Sequence, residues 1–422
     1  MGGPSPAERA MSVKRIMSIT VAVLMVSSVA LGGALASSGP ILVSSQDTDA
    51  TAYAGTHVSF DADSNALLDY TVADVTIVES VEVESANEAE ERGVLGAGVE
   101  LSTATDVEAG DISVTSESDT QVEIESESDA SIDAHDSQHG HLLVTAGGEG
   151  ALIAVNVSAE TDAERDGDAR VVVTHDDGTQ GTFIVVGDGE VTVNNEGNVT
   201  AELESDSKLA YLQYDDERSD EDKDREALIA DGTAAAEVYV TTAAEGSSEL
   251  AADVVEYGHD TTVDVTTYSE NQIEMTAERT ESEGKVVITS VSEQAFEHAD
   301  EIDVHVDGEA ATHVETKNEL EAAADGGENA AYAVRSASTA EASSEVLVAL
   351  NHFSERDVTI SSAESDDGSS GTDDGGAAGD DSSASDDEVE TIDADDSLPG
   401  FGFGVAMIAL LTSGLLALRR RH

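Results

Sequence analysis

The sequence predicts a mainly β chain whose central region folds as a β-sandwich, with a few short helices. Three observations carry that prediction. Val72, Val75, Ile77, then Val78, Val81 and Val83, alternate with Thr and Glu, which is the period of half-buried strands. Short apolar centres then recur about every ten residues, a spacing that suits a sandwich meander and, as an alternative for the first half, the rungs of a short β-solenoid. These centres are Ile112 with Val114, Val122 with Ile124, and Ile132, set between Ser, Asp and Glu turns. Last, apolar runs of strand length bounded by Gly, Asp and Ser continue through the rest of this region.

In chain order, strands are expected first over 53–83 and through the meander, then at 141–145, 151–157 and 169–174. Segments 182–187 and 190–193 read as a hairpin around Gly187-Asp188-Gly189, since glycine supplies the positive φ that tight turns need. The sheet continues over 203–214. Residues 215–225 carry dense charge of both signs and read as a solvated loop passing into a short helix at 226–230, with strand resuming at 237–242. A break at Glu245-Gly246-Ser247-Ser248 separates a first β-rich domain, 37–245, from a second, α+β one, 246–361. The second has strands at 261–267, 272–277, 285–291, 302–306, 332–334 and 346–351, and helical composition at 292–299 and 317–324. The chain is expected to leave the fold at 357–361.

Both ends carry targeting features. Lys14 and Arg15 precede the apolar run 16–31 and then Ala34-Leu35-Ala36-Ser37, which together make a signal peptide over 1–36 with cleavage by signal peptidase after Ala36. Translation starts at Met1 or Met11. Residues 362–397 form an acidic Asp/Ser/Gly stalk, too polar to offset the entropy of ordering. From Phe401 to Leu418 no side chain is charged, and about 18 residues at ~1.5 Å each approach the span of a bilayer core. Arg419, Arg420 and Arg421 follow and favour the inner side. Stalk, Pro399-Gly400-Phe401, transmembrane helix and arginine cluster, over 398–422, resemble the PGF-CTERM sorting signal of archaeal surface proteins. The resemblance implies recognition of Pro399, Gly400 and Phe401 by an archaeosortase, removal of the helix and attachment of a lipid anchor. It places the protein at the extracellular face of the cell membrane, in the cell envelope and beside surface-layer components. Two further stretches, 130–144 and 345–360, are similar to haloarchaeal surface proteins with the same signal and imply a shared extracellular module without a known activity.

Composition narrows the functions. With 18 basic against 90 acidic residues the formal charge is −72. Such self-repulsion opposes compaction at low salt, whereas at molar salt the Debye length falls to roughly 3 Å. The chain therefore reads as a halophile's, and nucleic acid is not an expected partner because so acidic a surface repels phosphate. The absence of cysteine removes disulfides, thiolate metal sites and cysteine nucleophiles. No cofactor is expected.

Four residues suggest metal chemistry: His135, Asp136, His139 and His141, whose imidazoles and carboxylate suit zinc, copper or nickel if a turn brings them together. His175, His259 or His305 would complete such a site. The plain alternative is an exposed polar turn with ordinary surface histidines. Gly93, Gly96 and Gly98 lack the spacing and the following base of a phosphate loop and read as a tight turn. Asp176-Asp177-Gly178 and Gly187-Asp188-Gly189 offer oxygens for weak calcium binding but do not match an EF-hand loop. No Gly-x-Ser-x-Gly elbow occurs, so an enzyme has no positive support. Asn156-Val157-Ser158 and Asn198-Val199-Thr200 are candidate N-glycan acceptors. The sequence thus leads to a structural or adhesive surface protein, with a metal- or solute-binding protein built on His135–His141 as the alternative.

Overall fold

The computed structural model describes residues 41–44 and 51–362, apart from 106, 119, 243–249, 259, 281–283, 293, 297–301, 337–341 and 353–354. The signal peptide with Ala36, the stalk, and the sorting signal with Pro399, Gly400, Phe401, Arg419, Arg420 and Arg421 lie outside the described residues, as does His259.

Four sheets stack face to face. Sheet I runs, in spatial order, Ile41–Ser44, Thr51–Ala54, Val58–Asp63, Ala66–Val72, Val75–Ser85, Ala151–Val157, Val199–Leu203 and Gly189–Val193. Sheet II runs Thr161–Arg165, Arg170–His175, Gln180–Val186, Lys208–Tyr214, Leu142–Thr145, Ser131–His135, Gln121–Ser126 and Ile112–Ser116. Sheet III is Leu250–Glu256, Ala234–Thr242, Lys285–Ser292, Ala342–Leu350, Ala331–Ser336 and Thr312–His313; sheet IV is Thr261–Ser269, Gln272–Arg279, Glu355–Ser362, Ile302–Val306 and Glu309–Ala310. A first core, including Phe60, Tyr70, Ile124, Ile153, Phe183 and Tyr211, fills the space between sheets I and II. A second, including Val238, Met275, Val287, Val348 and Ile360, joins III and IV. A third, with Leu143, Ile184, Leu212, Val255, Ile288 and Leu347, joins II and III.

The mainly β, sandwich-like expectation therefore holds, as two sandwiches laid back to back. The segments 112–116, 121–126, 131–135 and 142–145 pair antiparallel in sequence, whereas solenoid rungs would pair in parallel. The third core explains a pattern in the sequence. The inner strands of sheets II and III are covered on both faces, so Gln180–Val186, Lys208–Tyr214, Ala234–Thr242 and Lys285–Ser292 are buried nearly throughout. Continuous apolar runs, rather than alternation, are what such strands require.

Four expectations change. The hairpin around Gly187-Asp188-Gly189 is a corner: Gln180–Val186 belongs to sheet II and Gly189–Val193 to sheet I. Glycine is needed there because Gly187 has φ +95° and a Cβ on Gly189 would lie 2.5 Å from the Glu202 carbonyl oxygen. The sheet expected over 203–214 is likewise two strands, Val199–Leu203 in sheet I and Lys208–Tyr214 in sheet II. Residues 220–225 are helical, not loop: Ser219 caps helix α2, Asp220–Ala230, and a reciprocal bond with Asp222 completes a capping box. Gly93 ends helix α1, Ala86–Arg92, at φ +78° instead of joining strands. Helix α3, Lys317–Ala324, falls where it was expected, and Glu355–Ser362 is a strand paired on both sides in sheet IV. Strand Ala234–Thr242 already belongs to sheet III, so the second pair of sheets begins ahead of residue 246.

Candidate functional site: a buried histidine loop between two sheets

The histidine cluster sits on the loop joining Ser131–His135 to Leu142–Thr145 in sheet II. Its position is set from sheet I. Asp136 turns outward, and its carboxylate accepts the backbone N–H groups of Thr56 at 2.6 Å, His57 at 2.7 Å and Val58 at 2.8 Å. The Tyr70 hydroxyl donates to the carbonyls of Gly140 and His141, both at 3.1 Å. Gly140 has φ +50°, and an added Cβ would lie 2.2 Å from Val72 Cγ2. The loop is therefore moulded against the first sandwich while its imidazoles face the second.

His135, His139 and His141 are only 2%, 2% and 0% exposed, so the expectation of surface histidines fails. Each has its own partners. The Gln213 carbonyl lies 2.8 Å from His139 Nδ1, and Arg225 Nη1 lies 2.7 Å from His139 Nε2. A guanidinium can only donate, so Nε2 is the acceptor, Nδ1 carries the proton, and the ring is neutral. Burial, reinforced by Arg225 and His141, pushes His139 down to about 3. His141 Nδ1 lies 2.9 Å from Ser137 Oγ, and Nε2 lies 3.1 Å from Glu237 Oε2 and 3.2 Å from the Tyr239 hydroxyl. His135 Nδ1 is 3.0 Å from Asp253 Oδ2. Burial opposes charge on His135, but the Asp253 carboxylate outweighs it and raises the pKa.

The sequence did not point to the residues that complete this network. Arg225, on α2, reaches Glu345 on sheet III and lies 3.7 Å from Glu237 Oε1. Tyr239 donates to Glu237. Burial alone would raise the Glu237 carboxyl; Arg225 first, then His141 and Tyr239, instead hold it down to about 2. Next to this group, Glu226 accepts from Thr182 at 2.8 Å and pairs with Arg218 at 2.5 Å. The signal was a charge in an apolar setting: Glu237 stands within Ala-Ala-Ala-Glu-Val-Tyr-Val, where an unpaired carboxylate would be costly.

As metal ligands the predicted residues are not drawn to one point. The His139 and His141 rings meet edge to face at 5.8 Å, with one nitrogen of His139 held by Arg225. Among the described residues no group of three or more His, Asp or Glu is placed to hold a metal ion. His175 pairs instead with Asp177, at 2.9 Å, in the turn proposed for calcium, and His305 lies in sheet IV. The two candidate glycan acceptors meet each other: Asn198 Nδ2 donates to Asn156 Oδ1 at 2.9 Å, and Asn156 Nδ2 donates to Ser80 Oγ at 2.8 Å.

No protein-family model and no curated protein matches the chain. Among solved structures it is similar to a mutant glycoside hydrolase of family 81 from Clostridium thermocellum, at 12% identity and a TM-score of 0.31. That match covers 77% of this chain and 38% of the other, a likeness too slight to carry any inference about activity.

Proposed function

We propose that this is a structural or adhesive cell-surface protein of a halophile, held at the outer face of the membrane through its C-terminal sorting signal. The observation that carries the reading is the fate of the buried polar residues. His139, His141, Arg225, Glu237 and Glu345, the set most like a reactive centre, are spent on one another between sheets II and III. Such a network fixes how two sandwiches sit together. Rigid stacked β modules on an acidic stalk suit a load-bearing or spacing role, and no catalytic step belongs to this reading.

The test is expression in a haloarchaeal host with labelling of intact cells by a membrane-impermeant amine reagent. Surface labelling is expected, together with loss of the C-terminal helix. Replacing Pro399, Gly400 and Phe401 by Ala is expected to leave that helix attached. A chain recovered unlabelled from the cytosol with both ends intact would overturn the proposal.

A further inference from the structure

Beside the buried network, sheet II and the edge strands Leu250–Glu256 of sheet III and Thr261–Ser269 of sheet IV leave a cleft of about 470 Å³. We propose that this cleft binds a small organic cation, with a quaternary or primary ammonium as its recognised group. Its lining includes Asp133, His135, Lys208, Asp253, Glu256 and Tyr268. Asp264 adds a fourth carboxylate at the mouth.

Charge selects the ligand. Four carboxylates face one lysine and one histidine, so the cleft carries a net negative charge whether or not His135 is protonated. Two of those carboxylates are short of compensation. Burial raises Asp133, and the nearby His135 and Lys208 do not offset it; burial likewise raises Glu256 despite its bond from the Val263 amide. Lys208 is the only ammonium in the lining, and it already donates to the Glu256 carbonyl at 2.6 Å. A ligand cation would supply the missing charge, and an anion would be refused.

Two independent features show a built site rather than an acidic surface patch. His135 is almost wholly buried yet lines the cleft. Its Nδ1 is fixed by Asp253, which Thr120 also bonds at 3.0 Å, while Nε2 has no hydrogen-bond partner among the described residues. Tyr268 is the second feature. It is 42% exposed, one of two large apolar side chains left so among the described residues, and it lines this cleft. An aromatic ring at the entrance to a negative cleft is the arrangement that recognises organic ammonium ions through the ring face. A bare metal ion would gain nothing from it, and no three potential ligands in the described residues are placed to hold one.

The experiment is calorimetric titration of the full-length chain, in detergent and molar NaCl, with choline and with its uncharged tert-butyl isostere. Saturable choline binding at millimolar concentration or below is expected, with none for the isostere. Asp133→Asn combined with Glu256→Gln should weaken choline roughly 10- to 100-fold. Tyr268→Leu, a rim change that leaves both sandwiches intact, should weaken it about threefold. Equal binding of the isostere, no saturable choline binding, or full affinity in folded Tyr268→Leu protein would each overturn the proposal. So would displacement of choline by magnesium at equal concentration, which would mark the cleft as a diffuse counter-ion site.

Discussion

Replacing Arg225 by Met keeps much of the side chain's length and removes its charge from the interface between sheets II and III. Arg225 is 1% exposed, and Glu237 and Glu345 are 1% and 5% exposed. Without the guanidinium, two buried carboxylates face each other with no cation in contact, and His139 Nε2 loses its donor. Breaking a buried pair in this way costs about 3–5 kcal/mol, which for a domain of this size lowers the melting temperature by roughly 5–10 °C. Thermal melts in molar NaCl read the effect directly. The loss should change little between moderate and saturating salt, since screening acts mainly on exposed charge. The companion variant carries Glu237→Gln and Glu345→Gln as well as Arg225→Met. Removing all three charges together should recover stability to within about 1–2 kcal/mol of the parent, because the penalty lies in the unpaired ions. If Arg225→Met alone costs under about 1 kcal/mol, the guanidinium is not the centre of the junction, against the usual cost of a broken buried pair.

Three other outcomes follow from the same geometry. His139 is held down to about 3 and Glu237 down to about 2, so in both cases the unfolded chain binds the proton first and stability falls as pH falls. The His139 contribution is lost from its ordinary value near 6.5 down to about 3, and the Glu237 contribution from 4.5 to about 2. His139→Gln should therefore remove about 1.4 kcal/mol per pH unit from the slope between those limits, measured by denaturant titration. Asp136→Ala frees the three backbone N–H groups of Thr56, His57 and Val58 that its carboxylate now accepts; a loss of about 1.5–3 kcal/mol and faster amide exchange at those positions are expected. Gly140→Ala forces a Cβ against Val72 at a positive φ, which should cost about 1–3 kcal/mol and raise the exchange rate of the His135 amide that bonds the His141 carbonyl.

The strands were largely legible because each carries either an apolar run, as in Ala151–Val157, or a clean alternation, as in Ile302–Val306, and both of these coincide with their expected limits. What stayed hidden was which sheet a strand joins. A Gly-Asp-Gly between two strands reads locally as a hairpin, and only the packing of Gly187 on Ser207 and Gly189 on Glu202 makes it a corner between sheets. The four-layer stack was written in the chain as the mostly apolar stretches around Phe183, Leu212, Val238 and Val287, whose lack of alternation signals strands covered on both sides. The histidine loop stood out by spacing, yet its role depended on partners about 75 to 200 residues away in the chain, Gln213, Arg225, Glu237 and Glu345. Residues 130–144 and 345–360 each contribute to that network, through His139 and His141 and through Glu345.

On this geometry the histidine loop locks two sandwiches together instead of holding a metal. Calorimetric titration of the full-length chain with zinc and with copper at molar NaCl tests it most directly, with His139→Ala measured alongside. Only weak, non-stoichiometric heats are expected, the same in both proteins. Tight one-to-one uptake by the parent, abolished in His139→Ala, would contradict it.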